Sequence, residues 1–183
     1  AIEPLAGVAP GSTKISAWVE TASALVDARD IARASPRVIA LSFGAEDFTN
    51  DMGIERSDTG EEVEVPRSLV PVAARAANVA SLDSPFVLFQ DLDALRADAK
   101  RARQMGYTGK HAIHPAQLDI INEVFSPSDE EVSYAQKIME AWDEAESAGR
   151  GSLAMDGRMV DVPGVKRAQN LLDFADAIKA GRR

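Results

Sequence analysis

Short apolar runs alternate along this chain with longer segments of helical period, and that alternation restricts the fold to one class. Lys14 to Glu20 and Val38 to Gly44 are rich in β-branched or aromatic residues, and between them Ala22 to Ala34 carries Leu25, Val26 and Ile31 at helical spacing. After a polar stretch from Phe48 to Arg67, a helix is expected over Ser68 to Ala80 with Pro71 in its first turn, then a strand over Pro85 to Phe89. Asp91 reads as the N-cap of a helix through Leu92, Leu95, Ala99, Ala102 and Met105 that stops at Gly106; Lys110 to Ile113 is the next strand, ended by His114-Pro115. The strand ends then fall at Glu20, Gly44, Phe89 and His114, with gaps of 24, 45 and 25 residues. Four successive βα units imply an α/β fold with a parallel sheet, whose ligands bind at the carboxyl ends of the strands.

Those ends are acidic. Trp18-Val19-Glu20-Thr21 and Phe43-Gly44-Ala45-Glu46-Asp47 set Glu20 and Asp47 27 residues apart, about one strand-helix-strand repeat, so the fold can place the two carboxylates side by side. Carboxylates are costly to bury unpaired, and acids at the ends of adjacent parallel strands face a cation or a reacting group; we read them as a divalent metal site. With 2 histidines and no cysteine, thiolate catalysis, disulfides and cysteine-ligated zinc are excluded, which leaves oxygen ligands and hard cations, magnesium first among them. A net charge of −9 argues against a nucleic-acid partner. No apolar run approaches a membrane span and Ala1-Ile2-Glu3-Pro4 lacks a signal-peptide pattern, so a cytoplasmic location is expected.

Beyond His114 the pattern changes. Ser128-Asp129-Glu130-Glu131 is a capping box opening an amphipathic helix through Val132, Ala135, Ile138, Met139 and Trp142, which ends near Gly149. Asp156-Gly157 is a hairpin signal, and a last helix after Pro163 carries Val165, Ala168, Leu172, Ala175 and Ile178 on one face. Residues 1–125 are therefore expected to form the C-terminal half of a TIM (β/α)8 barrel and 126–183 a helix-hairpin-helix extension. A barrel needs eight units and about 250 residues, whereas this chain offers four and a tail of 69 residues, so the N-terminal barrel half is expected to be absent or supplied elsewhere. Ala1 to Thr13 reads as a connection within a longer protein.

Val19-Glu20-Thr21, Phe43-Gly44-Ala45-Glu46-Asp47, Gly109-Lys110 with Ile113-His114-Pro115-Ala116-Gln117, and Asp156-Gly157-Arg158-Met159-Val160-Asp161 occur in an order that resembles one family. It is the citrate lyase beta subunit and malyl-CoA lyase family of the HpcH/HpaI aldolase superfamily, and the resemblance runs from about Lys14 to Gln169. It implies a TIM-type barrel, a homotrimer or homohexamer, and magnesium-dependent making or breaking of a carbon-carbon bond between an acyl-CoA thioester and a 2-keto acid. By this likeness Glu20 and Asp47 bind the metal, and Asp161, on a lid reaching a neighbouring subunit's site, is the catalytic acid/base. The family's substrate-clamping arginine and much of its coenzyme A surface belong to earlier strands. Where the family often has glycine shortly after Glu-Thr, this chain reads Thr21-Ala22-Ser23-Ala24.

Thr21, Gly44, Ala45, His114 and Pro115 are expected to line the substrate, and Glu46 to accept hydrogen bonds from loop amides or orient a metal-bound water. Each of these residues also has a plainer reading. Glu20 or Asp47 alone is a helix-start carboxylate, Asp161 the N-cap of the last helix, and His114 a strand-end imidazole satisfied by backbone. Lys110 could meet a phosphate or a carboxylate, and the Lys100-Arg101-Ala102-Arg103 cluster coenzyme A phosphates, but both, like the Glu61-Glu62-Val63-Glu64 loop, read first as solvated surface. The activity expected is cleavage of malyl-CoA or citramalyl-CoA; the alternatives are a citrate lyase beta subunit acting on a citryl acyl-carrier protein, a (3S)-malyl-CoA thioesterase, or a non-catalytic fragment serving as an assembly module.

Overall fold

The computed structural model describes residues 2–57 and 59–181; Ala1, at the head of the connecting segment, lies outside them. Two compact units divide the chain, Ala1–Phe125 and Ser126–Arg183.

In the first unit α1 (Ile2–Leu5) precedes β1 (Ile15–Val19), α2 (Ala22–Val26), α3 (Ala28–Arg33), β2 (Val38–Phe43), α4 (Ala45–Met52), α5 (Glu64–Ala76), β3 (Ala80–Asp83), α6 (Leu92–Met105), β4 (Gly109–Lys110) and α7 (Leu118–Phe125). The four strands form one sheet in the order β1-β2-β3-β4, every neighbouring pair parallel. Strand alternation sorts its two faces. Val19, Leu41 and Phe43 pack with Val70 and Ala74 of α5 and Leu95, Ala99 and Ala102 of α6 in one buried core. On the other face, Trp18 of β1 stacks on His111, which follows β4, with ring centroids 4.3 Å apart. The outer strands of a flat four-stranded sheet would lie roughly 14 Å apart. This stack therefore joins the two edges across a curved, concave face.

The helix read over Ala22 to Ala34 is two helices, because the chain breaks at Asp27, which ends α2 and starts α3. The segment from Phe48 to Arg67 is not featureless, since α4 and the start of α5 occupy much of it. Pro71 sits in the interior of α5, not in its first turn. An interior proline leaves the carbonyl four residues back without its helical partner, here that of Arg67, and the Tyr107 hydroxyl donates to that oxygen at 2.7 Å. The strand expected over Pro85 to Phe89 is instead Ala80–Asp83, and Pro85 to Phe89 is a loop with Val87 and Leu88 each 55% exposed. Pro85 has no N–H for a ladder, and Ala-Ser-Leu-Asp ends in a charge that reads as a loop until its partners are seen. β4 covers only Gly109–Lys110, although the His111 amide still donates to the Asp83 carbonyl at 3.0 Å.

The second unit comprises α8 (Asp129–Ser147), β5 (Ser152–Met155), β6 (Arg158–Asp161) and α9 (Val162–Gly181). Both hydrogen bonds of the Ser128–Glu131 capping box are present. Asp156 and Gly157 have φ of 49° and 73°, the left-handed pair that joins an antiparallel hairpin without splaying its strands. Ile138 and Trp142 of α8 pack with Val160, Val165 and Ala168.

Candidate active site

The sheet's carboxyl edge gathers the residues that follow each strand. Glu20 comes after β1, Gly44 after β2, Ser84 after β3 and His111 after β4. Helix α4 starts at Ala45, directly after Gly44, so Glu46 and Asp47 fall in its first turn, where the helix dipole favours negative charge. The Gly44 amide donates to the Val19 carbonyl at 3.1 Å and binds the start of α4 to the end of β1. A Cβ on Gly44 would lie 2.5 Å from Glu20 Cγ and 2.6 Å from Oε1. Glycine is therefore what lets the Glu20 carboxylate lie across the end of β2.

There it meets Asp47. Burial raises the Glu20 carboxyl above the ordinary carboxylate range, and the charge and hydrogen-bonding contact of Asp47 raise it further. Two carboxylates that repel each other at a strand rim form a donor pair that a hard cation would relieve. Glu46 instead turns to the loop, its Oε1 lying 3.3 Å from Arg56 Nε. Among the described residues no cluster of three or more histidine, cysteine, aspartate or glutamate side chains is poised to hold a metal. The donor set is thus two carboxylates, which suits magnesium, an ion that keeps several waters and commonly takes one or two protein carboxylates.

Of the other rim residues, Thr21 caps α2, its Oγ1 accepting the Ala24 amide at 3.1 Å. The Ala22 amide donates to Asp51 Oδ2 at 2.8 Å, so the turn where the family often has glycine is tied here to α4. His114 is exposed; its Nδ1 accepts the Ala116 amide at 3.1 Å and its ring stacks on Phe89 with centroids 4.9 Å apart. Pro115 opens a short 3-10 turn, Pro115–Gln117, whose buried Gln117 receives the Ile113 amide and donates to the Phe86 carbonyl. Asp161, in the second unit, closes β6, and its Oδ1 accepts the Gly164 amide at 3.1 Å and caps the first turn of α9.

Lys110 is not solvated: its side chain is 1% exposed. Its Nζ lies 2.6 Å from Asp83 Oδ2, from Asp98 Oδ2 and from the Ser84 carbonyl oxygen. Asp83, fully buried, also accepts from Arg67 Nε at 2.8 Å and Nη2 at 2.6 Å, and Asp98 meets the same guanidinium at 2.8 Å. Burial works against charge at Asp98, but Lys110 and Arg67 outweigh it and hold the carboxyl below its ordinary value. Sequence reasoning missed this quartet, although an Asp closing an otherwise apolar-alternating Ala80–Asp83 and a Lys two residues after Thr108 were its traces. A cavity of about 130 Å³ adjoins it, lined among others by Ala45, Glu46, Arg56, Ser84 and Lys110.

The acidic loop is only partly surface, because Glu62 is bound by Arg56 and Ser57. Burial pushes its carboxyl up, but the hydrogen bonds from Ser57 and Arg56 outweigh that and bring it down to about 2. In the basic cluster, Arg101 pairs with Glu64 at 2.6 Å and Ala102 is buried in the core.

The HpcH/HpaI aldolase/citrate lyase family model matches residues 2–115. Citrate lyase subunit beta of Leuconostoc mesenteroides subsp. cremoris is 37% identical over 91% of this chain and 55% of its own length. The L-malyl-CoA/beta-methylmalyl-CoA lyase of Cereibacter sphaeroides is 34% identical over 88% of this chain and 56% of its own. Among solved structures, a citrate lyase from Burkholderia xenovorans superposes with a TM-score of 0.84 at 29% identity, covering 97% of this chain and 57% of that one. The protein CitE of Mycobacterium tuberculosis, solved with magnesium, acetoacetate and coenzyme A, gives 0.76 at 30% identity, covering 89% and 61%. This chain thus spans little more than half the length of the relatives it matches. With a parallel sheet whose rim carries the paired acids, and with these matches over most of its length, the chain belongs to the HpcH/HpaI aldolase/citrate lyase family.

Proposed function

We propose that this chain is the C-terminal part of the barrel of a magnesium-dependent carbon-carbon lyase, one that cleaves or forms a 3-hydroxyacyl-CoA such as malyl-CoA or citramalyl-CoA. The observation that carries the reading is the Glu20 carboxylate lying over Gly44 against Asp47 at the sheet's carboxyl edge. Magnesium bound there would supply a Lewis acid for the oxygens of the keto acid. Glu20 and Asp47 are anchors and carry no proton in turnover. Asp161 is the proton carrier: as carboxylate it takes the hydroxyl proton, the carbon-carbon bond breaks, and as acid it returns a proton to the enolate carbon of the thioester. Thr21, Gly44, Ala45, His114 and Pro115 line the same rim, and Glu46 supports its loop. The curvature that lets Trp18 meet His111 supports a half barrel completed by further βα units. The family likeness supports residues 126–183 as its lid and a homotrimer or homohexamer as its assembly. Compartment is read as cytoplasmic.

A second reading has its own support, the 37% identity to a citrate lyase subunit beta. In that case the thioester is carried on an acyl-carrier protein. The test joins this chain to its preceding barrel segments and assays malyl-CoA, citramalyl-CoA and a citryl-carrier thioester with magnesium and with EDTA. Acetyl-CoA plus glyoxylate from malyl-CoA, abolished by EDTA, is the expected result; free CoA plus malate indicates hydrolysis, and no turnover of any thioester leaves an assembly module.

A further inference from the structure

Gly44 occupies the N-cap position of α4, where a serine, threonine or aspartate side chain would normally accept a first-turn amide. It has no side chain to do so, and none fits, because the Glu20 carboxylate fills the space a Cβ would need. One first-turn amide is nevertheless satisfied from outside the helix. The buried Ala45 amide donates to Ser84 Oγ at 3.2 Å, across from the end of β3. Ser84 is in turn held from below, its carbonyl accepting Lys110 Nζ at 2.6 Å, and Lys110 is fixed by Asp83 and Asp98. The start of α4 is thus fastened on two sides, by Gly44 to β1 and by Ser84 to β3.

We propose that Ser84 is a positioning residue for the metal-binding carboxylates, a helix cap lent by a neighbouring strand because the cap position itself must stay glycine for Glu20. It sets the first turn of α4 and hence the place of Asp47 beside Glu20; the buried quartet is the base on which it stands. The proposal rests on the reading that Glu20 and Asp47 bind the metal.

Calorimetric titration of the chain with magnesium, alongside thermal melts, tests it. Ser84→Ala weakens magnesium binding about five- to tenfold, the effect of a lost cap passed on to a ligand. Ser84→Thr, which keeps the hydroxyl, restores affinity to within about twofold. Thr108→Val serves as the control, since Thr108 Oγ1 bonds Ser81 at the opposite end of β3; it lowers the melting temperature and leaves magnesium affinity unchanged. Ser84→Cys, with a weaker acceptor in the same place, gives an intermediate loss and stands in if the alanine variant does not fold. Magnesium affinity unaltered in Ser84→Ala or Ser84→Cys, or lowered equally by Thr108→Val, would overturn the proposal. Failure of the underlying metal reading shows separately, as Glu20→Gln and Asp47→Asn titrating like the wild type, and would overturn both.

Discussion

Gly44 links sequence to chemistry at the smallest scale, because the atom it lacks is the room Glu20 uses. Adding that atom as Gly44→Ala displaces a flexible side chain and spares the backbone, so the site suffers more than the fold. Magnesium affinity is expected to fall about tenfold or more with little change in melting temperature, read by calorimetry and circular dichroism. Glu20 gives a pH prediction with a definite sign. Its carboxyl in the folded chain lies above the ordinary value, so the stability it contributes is fully present below the unfolded value and is lost as pH rises through the folded one. Glu20→Gln escapes that loss and melts higher than the wild type at neutral pH without metal, the gap closing below about pH 4. Saturating magnesium reverses the order, stabilising the wild type alone. An equal melting temperature for the two at every pH would mean that Glu20 feels neither burial nor Asp47. The pairing of Glu20 with Asp47 was legible because strand-helix-strand spacing is regular. The role of Gly44 was not, since a Cβ clash exists only in three dimensions.

Among the elements, β1, β2, α6, α8 and the hairpin were legible, since each carries a local signal: β-branched runs, the Asp91 cap with Gly106, the Ser128 capping box and Asp156-Gly157. β3 was misplaced because its stability comes from partners distant in sequence. Arg67, Asp98 and Lys110 converge on Asp83, and no window along the chain displays that convergence. α7 escaped notice behind His114-Pro115, although Ile120, Ile121, Val124 and Phe125 are all buried. Removing one partner of a buried pair strands the others, so Asp83→Ala is expected to cost about 3–5 kcal/mol in chemical denaturation. Tyr107→Phe leaves the Arg67 carbonyl, already orphaned by Pro71, without a donor and costs about 1–3 kcal/mol in the same measurement. Wild-type stability in either variant would mean that the polar cluster contributes nothing to holding β3 and β4.

For the molecule as a whole, the alternation of strands and helices announced a parallel sheet, and four parallel strands with one concave face are what the chain forms. The first unit carries the paired acids, the second carries Asp161, and this chain matches only 55% of the length of its citrate lyase subunit beta relative. The proposed reading divides the work accordingly: metal ligands from one unit and the proton carrier from the other. Its central claim is that Glu20 and Asp47, and not Glu46, hold a divalent cation. The most direct measurement is calorimetric titration of magnesium into the wild-type chain and into Glu20→Gln, Asp47→Asn and Glu46→Gln. The account predicts one saturable site in the wild type, lost in the first two variants and retained in Glu46→Gln; magnesium binding that survives both Glu20→Gln and Asp47→Asn would contradict it.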